Sequence, residues 1–352
     1  MTKNGWVLTI TFFLALKPNH ALENFFDGLQ PKEVKLFSEF LKTPLETEKF
    51  KSNRQIRKGN IVYHLKVPDE MDYRPPVGYT QKKSIKVHHA ARTMSKIIFK
   101  VHYHFDENGR RKVLPSRPYA PLHFILGGDS FALGTGIQDK DTLLYLLLKD
   151  RKHFSPKNIS VTGSGPNTML SIVTNELKYE VGQKSGIFLF LYNDYHIERS
   201  NAFAMERQWL KDSPFYSENK KGVLIDQGPF KKAQPLRTYF YNIFVKTTQL
   251  FGLNLNFPRR TKTHISYTCK LISQTRNQYL QNYPYGRFIL YAHPFSPMGN
   301  TMKKCLLERG IEVLKAQFKW SPQKHEIPFE GHPNATATKL VAKDLETQLL
   351  FN

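Results

Sequence analysis

The sequence predicts an α/β fold: a five-stranded parallel sheet wound on both faces with helices, preceded by a smaller mixed region. Three observations predict it. Short continuous apolar runs (LHFILGG, GIFLFLY, RFILYAHP) have the length and composition of strands buried on both faces. Longer segments with helical spacing separate these runs, and strands alternating with helices make parallel sheets. The texture also changes near residue 119: upstream the chain is polar-rich and mixed, downstream the alternation is regular.

From residue 119 the elements are predicted in this order. LHFILGG is a strand, DTLLYLLLKD a helix, NISVTG a strand, NTMLSIVTNELKYEV a helix and GIFLFLY a strand. An irregular insertion spans residues 195–262. HISYTCKLISQTRNQYLQNY then reads as helix, RFILYAHP as strand, TMKKCLLERG as helix, IEVLKAQF as strand and TATKLVAKDLETQLL as the closing helix. Within the insertion, SPFYSENKKGVLIDQGPF reads as a hairpin around Lys220-Lys221-Gly222. LRTYFYNIFVKTTQLFGL reads as a helix with Leu236, Phe240 and Phe244 on one stripe, either packed on the rest of the domain or serving as a lid or membrane-dipping element.

Residues 22–118 form the mixed α+β region. LQPKEVKLFSEFLKT predicts a helix, IVYHLKVP a strand and DYRPPVGY a loop. In IIFKVHYHFDENGRRKVL, Phe99, Val101, Tyr103 and Phe105 alternate with Lys100, His102 and His104, and Asn108-Gly109 is a turn signal, so the stretch predicts a hairpin with one wet face. His102 and His104 share that wet face but have no third ligand at readable spacing, so no metal is expected. Residues 1–21 have Lys3 and then an apolar run from Trp6 to Leu16. That run is too short for a hydrocarbon core of ~30 Å at ~1.5 Å per residue, and a cleaved export signal fits it better than an uncleaved anchor or a buried first helix. Cys269 and Cys305 are the two cysteines, open to pairing after export or to staying as buried thiols.

The 52 Lys and Arg residues against 29 Asp and Glu give a formal charge of +23. Such a charge favours anionic surfaces as partners, or simply solvates the surface. The lysines are scattered and no nucleic-acid-binding signature is present, so no nucleic-acid partner is expected.

Ligands of doubly wound sheets bind beyond the carboxyl ends of the strands. After the first predicted strand stands Ser130 (GGDSFALGTG), after the second Gly163 (NISVTGSG), after the third Asn193 (FLYNDYH), and beyond the fifth His332 (FEGHPNATA). Taken singly, each is ordinary turn vocabulary. Together they are the components of acyl transfer. A serine hydroxyl needs an imidazole to take its proton, and an oxyanion needs preorganised donors such as a glycine N–H and an asparagine amide. Glycine at 163 lets the backbone come close to a substrate. The joint pattern makes Ser130 a nucleophile.

From about residue 119 to the end, the sequence resembles the SGNH hydrolases, the GDSL esterase/lipase superfamily, through GDSFALGTGIQDKDT, NISVTGSG, LYND and EGHPNATA. FKVHYHFDENGRR resembles the lead-in of a bacterial branch of that family. The resemblance implies a flavodoxin-like three-layer α/β/α sandwich, with Ser130 as nucleophile and His332 as base. It also implies an oxyanion hole made of the Ser130 and Gly163 N–H groups and the Asn193 side chain. No cofactor is implied. The stretch holding Asp194, His196 and Arg199 also resembles that branch, with no role attached. One departure stands out: the family's usual aspartate position, three residues before the histidine, is Phe329, and Glu330 sits two before. Glu330 is the expected third member, and a Ser-His dyad oriented by a backbone carbonyl is the alternative.

The expectation is therefore an exported carboxylic-ester hydrolase acting on O-acyl groups of a glycan or lipid. An O-acyltransferase with the same site, or a silent binding module, are the alternatives. The module would have lost the serine, histidine or oxyanion donors, and all are present.

Overall fold

The computed structural model describes residues 54–349 except 59–60, 67–71, 75–77, 81–84, 93–96, 107, 114–115, 204–209, 211, 251–259 and 329. The expected export signal and the helix expected in LQPKEVKLFSEFLKT lie outside the described residues.

The first strands are β1 (Arg54–Lys58), β2 (Ile61–Lys66), β3 (Asp72–Arg74), β4 (Gly78–Thr80), β5 (Ile85–Arg92) and β6 (Ile97–Phe105). β1, β2, β5 and β6 form an antiparallel sheet in that order, and β3 pairs with β4 inside the stretch expected to be a loop. Phe99, Val101, Tyr103 and Phe105 of β6 are buried, as their alternation predicts. The expected hairpin is made with a short return arm, Lys112 N–H donating to His104 O at 2.7 Å across it. Asp106–Arg110 turns, with Gly109 N–H donating to Asp106 O at 3.0 Å, and the chain returns through the single bridge Phe105–Arg111. β6 takes its ladder from β5 upstream. The buried Arg110 guanidinium pairs with Glu180 (3.0 Å) and Glu176 (2.5 Å).

The core sheet consists of β7 (Leu122–Gly127), β8 (Phe154–Asn158), β9 (Ser185–Tyr192), β12 (Tyr285–Ala292) and β13 (Glu312–Lys315), all parallel, in the order β13-β12-β9-β7-β8. Between β9 and β12, β10 (Pro214–Glu218) and β11 (Leu224–Pro229) form the expected antiparallel hairpin.

Alternation along the strands divides the core into two apolar layers. Ile125, Phe188, Phe190, Tyr192, Phe288 and Leu290 face one way. Helices α3 (Pro166–Asn175) and α4 (Leu177–Glu180) cover that face, together with α8 (Lys262–Asn282) and α9 (Asn300–Glu308). Phe124, Leu126, Leu189, Leu191, Ile289 and Tyr291 face the other way, onto α2 (Leu143–Leu148) and α11 (Ala335–Leu349). This is the expected three-layer sandwich. Cys269 of α8 and Cys305 of α9 form a disulfide, so the pairing left open by the sequence is made.

β8 departs from expectation. The strand is FSPKN, not NISVTG, and only Phe154 and Asn158 of it are buried. It lies at the edge of the sheet, where Pro156 needs no partner for its missing N–H. Ile159 and Val161 still donate to Leu126 O (2.9 Å) and Gly128 O (3.1 Å), so NISVTG runs on beside β7 as extended chain past the strand.

The remaining helices are α1 (Ser130–Leu133), α5 (Tyr195–Ser200), α6 (Phe230–Ala233), α7 (Pro235–Leu250) and α10 (Pro322–His325). On α7 Leu236 is 84 % exposed and Phe240 is also exposed, while Tyr241 is buried, so at those two stripe residues the packed alternative is not made.

Candidate active site

The sheet order places the reversal of strand sequence between β7 and β9, where such sheets bind their ligands. Ser130 and Asn193 follow those two strands.

Ser130 opens α1 and is 4 % exposed. As the first residue of a helix, its N–H precedes the intrahelical bonds. Asp129 is the N-cap, its Oδ1 accepting from Phe131 N at 3.0 Å, and Gly134 closes the helix in the left-handed conformation. Arg111 holds the other end: its buried guanidinium donates to Leu133 O (2.8 Å), Gly134 O (2.5 Å) and Ile137 O (2.8 Å) and pairs with Asp139. A cation at the last carbonyls of a helix is the favourable arrangement. The guanidinium also lies 4.3 Å over the Tyr103 ring, and the Tyr103 hydroxyl accepts from Gly136 N at 2.7 Å. The region before residue 119 thus braces the segment that carries the serine. Sequence reasoning missed this, although Arg110-Arg111 beside a turn signal was visible.

Gly163 has φ +74°, a left-handed turn that a residue with a Cβ adopts only with strain. The turn is fastened to β7: Ser164 Oγ donates to Gly128 O at 3.1 Å. Asn193, buried at the end of β9, donates from Nδ2 to Asp129 Oδ2 at 2.8 Å and accepts at Oδ1 from Tyr195 N at 3.1 Å.

His332 lies in a tight loop. Ile327 N–H donates to His332 O (2.7 Å) and Asn334 N–H to His325 O (2.9 Å), while Asn334 Oδ1 accepts from Ala337 N (3.0 Å) in the first turn of α11. The tightness of this loop lets a residue two positions before the histidine reach its ring. Glu330 Oε2 accepts from both His332 N (3.1 Å) and His332 Nδ1. The Glu330 side chain is 2 % exposed and that of His332 17 %. A carboxylate can only accept here, so it keeps the imidazole proton on Nδ1 and leaves the Nε2 lone pair free. The His332 ring lies 5.3 Å from that of Phe131, the residue after Ser130.

Two more histidines sit here that sequence reasoning passed over as catalytic candidates. His293 directly follows β12; its ring lies 5.2 Å from Phe131 and 5.0 Å from Trp320, and burial pushes its pKa down to about 3. His196 of α5 is fully buried, also with its pKa lowered by burial, and its Nε2 lies 3.6 Å from Asp129 Oδ2. That is a charge–dipole contact, too long for a hydrogen bond. Burial alone would raise the pKa of Asp129. The Arg199 guanidinium, with His196 and Asn193, outweighs it and holds the carboxyl well below its ordinary range. His102 and His104 do not join the site: His104 Nδ1 bonds Asp139 Oδ2 at 2.6 Å. Among the described residues no cluster of three or more His, Cys, Asp or Glu is arranged to hold a metal.

The strands run in the order 2-1-3-4-5, with the serine beyond the first strand, the asparagine beyond the third and the histidine loop before the last helix. The fold is a flavodoxin-like doubly wound α/β sandwich. No family model matches the chain, and no curated protein matches it in sequence. Among solved structures, the chain is similar to a family two carbohydrate esterase from Clostridium thermocellum in complex with cellohexaose, at 7 % identity and a TM-score of 0.40, over 80 % of this chain and 98 % of that one. It is similar to an acetyl xylan esterase from Butyrivibrio proteoclasticus at 9 % identity and a TM-score of 0.38, over 88 % and 96 %. It is also similar to a lipolytic G-D-S-L protein from Veillonella parvula at 13 % identity and a TM-score of 0.36, over 66 % and 100 %.

Proposed function

We propose that the protein is a serine ester hydrolase that cleaves O-acyl esters through an acyl-enzyme on Ser130. The observation that carries the reading is the bond from His332 Nδ1 to the buried Glu330 carboxylate, in a loop whose imidazole lies against the residue after Ser130. With its proton held on Nδ1, His332 takes the Ser130 Oγ proton at Nε2 as Oγ attacks the acyl carbon. The oxyanion is met by the Ser130 and Gly163 N–H groups and the second N–H of Asn193 Nδ2. The imidazolium, stabilised by Glu330, returns the proton to the leaving alkoxide. Water then attacks the acyl-enzyme with His332 again as base, releasing the acid and restoring Ser130.

The substrate is an O-acylated glycan or lipid. The half-exposed Tyr195 ring lies 6.0 Å from Phe295, which lies 5.0 Å from Phe131, so a run of rings beside the serine suits the apolar face of a sugar or a short acyl chain. The Cys269–Cys305 disulfide supports export, since such bonds persist in oxidising compartments. N-terminal sequencing of native protein is expected to begin near Leu22, and an intact Met1 on a cytoplasmic protein contradicts export. The function is tested with esters of graded chain length, acetylated sugars included, using wild type and Ser130→Ala. Hydrolysis by wild type alone is expected. Equal rates for the two proteins contradict the reading.

A further inference from the structure

We propose that Arg199 is a positioning residue that holds the three parts of the oxyanion hole in register, an inference that rests on the ester-hydrolase reading above. Arg199 is on α5, which begins two residues after Asn193, and it points back across the ends of β7 and β9. Its Nη1 pairs with Asp129 Oδ2 and also donates to Ser164 O at 3.3 Å. One guanidinium nitrogen thus links the residue before Ser130 to the residue after Gly163.

Asn193 is joined to the same point. Its Nδ2 donates to Asp129 Oδ2 while its Oδ1 is occupied by Tyr195 N. A flipped amide would set its oxygen against the carboxylate, so the bond fixes which end is the donor. It also aims the second N–H away from Asp129. Asp129 Oδ1 meanwhile caps α1 through Phe131 N. The carboxylate therefore controls the Ser130 and Asn193 donors at once, and Arg199 controls the carboxylate.

The packing agrees. A Cβ on Gly165 would lie 3.0 Å from Arg199 Cβ and 3.2 Å from Ser200 N, so α5 packs closely on the turn that holds Gly163 and Gly165. The charge on Asp129 has Arg199 as its cationic partner. His196 and His293, which also face it, are kept neutral by burial. Neither ring nitrogen of His196 has a hydrogen-bond partner, and its Nε2 stands 3.6 Å from Asp129 Oδ2, so Arg199 makes the direct bond to the carboxylate. Without Arg199 an uncompensated carboxylate remains buried beside the nucleophile.

The test compares wild type, Arg199→Gln and Arg199→Lys in ester hydrolysis and in the rate at which a fluorophosphonate phosphonylates Ser130, with the folded fraction of each measured by circular dichroism. Loosening a hole by about 1 Å, or losing one donor, costs roughly 10²-fold. Arg199→Gln is expected to lower kcat by about that factor with KM within threefold, and to slow phosphonylation in parallel, because the phosphonyl oxygen occupies the same hole. Arg199→Lys restores the charge and is expected to recover part of the loss, standing about 10-fold below wild type; it decides the question where the glutamine variant does not fold. Folded variants with kcat and phosphonylation within twofold of wild type overturn the inference. Wild type that neither hydrolyses esters nor is phosphonylated overturns the ester-hydrolase reading beneath it.

Discussion

The Glu330 carboxylate reaches the Nδ1 of a histidine only two positions ahead of it, and the same oxygen accepts that histidine's backbone N–H. Two bonds to one oxygen fix both the loop and the ring. An acid of this kind keeps the tautomer and stabilises the imidazolium, and in Ser-His-Asp proteases its loss costs up to about 10⁴ in kcat. Glu330→Gln is expected to lower kcat by roughly 10² to 10⁴ with KM little changed, measured by steady-state kinetics. Glu326, whose Oε1 accepts from Trp320 Nε1 at 2.9 Å, is the control, because glutamine keeps that acceptor and Glu326→Gln is expected to stay within about twofold. Full kcat in Glu330→Gln shows a dyad or an acid elsewhere.

Acid is expected to destabilise the protein from about pH 6.5 downward. His123 accepts from Tyr279 OH at Nε2 (2.7 Å) and donates from Nδ1 to Gln183 O (3.1 Å), a neutral tautomer, and burial pushes its pKa down to about 4. His293 is pushed down to about 3. The unfolded chain protonates both near 6.5, so between about 6.5 and 4 it binds protons the folded chain does not, and stability falls with falling pH. Each group contributes up to about 1.4 kcal/mol per pH unit. Urea unfolding at pH 7, 6 and 5 measures this, and His123→Gln should make the dependence shallower. The depressed Asp129 adds nothing to this window, since its stabilisation is lost only below about pH 4. Equal stability at pH 7 and pH 5 contradicts the account.

The disulfide joins α8 to α9 across a separation of 36 residues. Loop-closure entropy for that length corresponds to roughly 4 kcal/mol. Reduction, or Cys305→Ser, is expected to lower the urea-unfolding free energy by that order. Identical unfolding curves with and without reductant show that the bond is not made in solution.

What was legible in the sequence was whatever burial imposes on a continuous stretch. β7, β9 and β12 are apolar on both faces, so their runs declared both the strands and the sheet, and the polar residues beyond them followed from the fold. β8 was misplaced because an edge strand buries little: FSPKN looks like a turn, and the apolar NISVTG lies beyond it. The stripe on α7 stayed open between two readings because helical spacing shows which residues share a face but not whether that face meets anything. The Arg199–Asp129 pair spans 70 positions, and no local pattern encodes it. Its only local trace is an arginine in the helix that directly follows the strand-end asparagine. Glu330 could be read because its partner is two residues away.

The central claim is that Ser130 becomes covalently acylated, and the most direct measurement is mass spectrometry of the protein after a fluorophosphonate and after an activated ester. Ser130 stands at the start of α1, and the ring of the next residue, Phe131, lies 5.3 Å from that of His332. A single adduct is expected, on the peptide containing Ser130, with no labelling of Ser130→Ala and slow labelling of His332→Ala. An adduct on another residue, or equal labelling of wild type and Ser130→Ala, contradicts it.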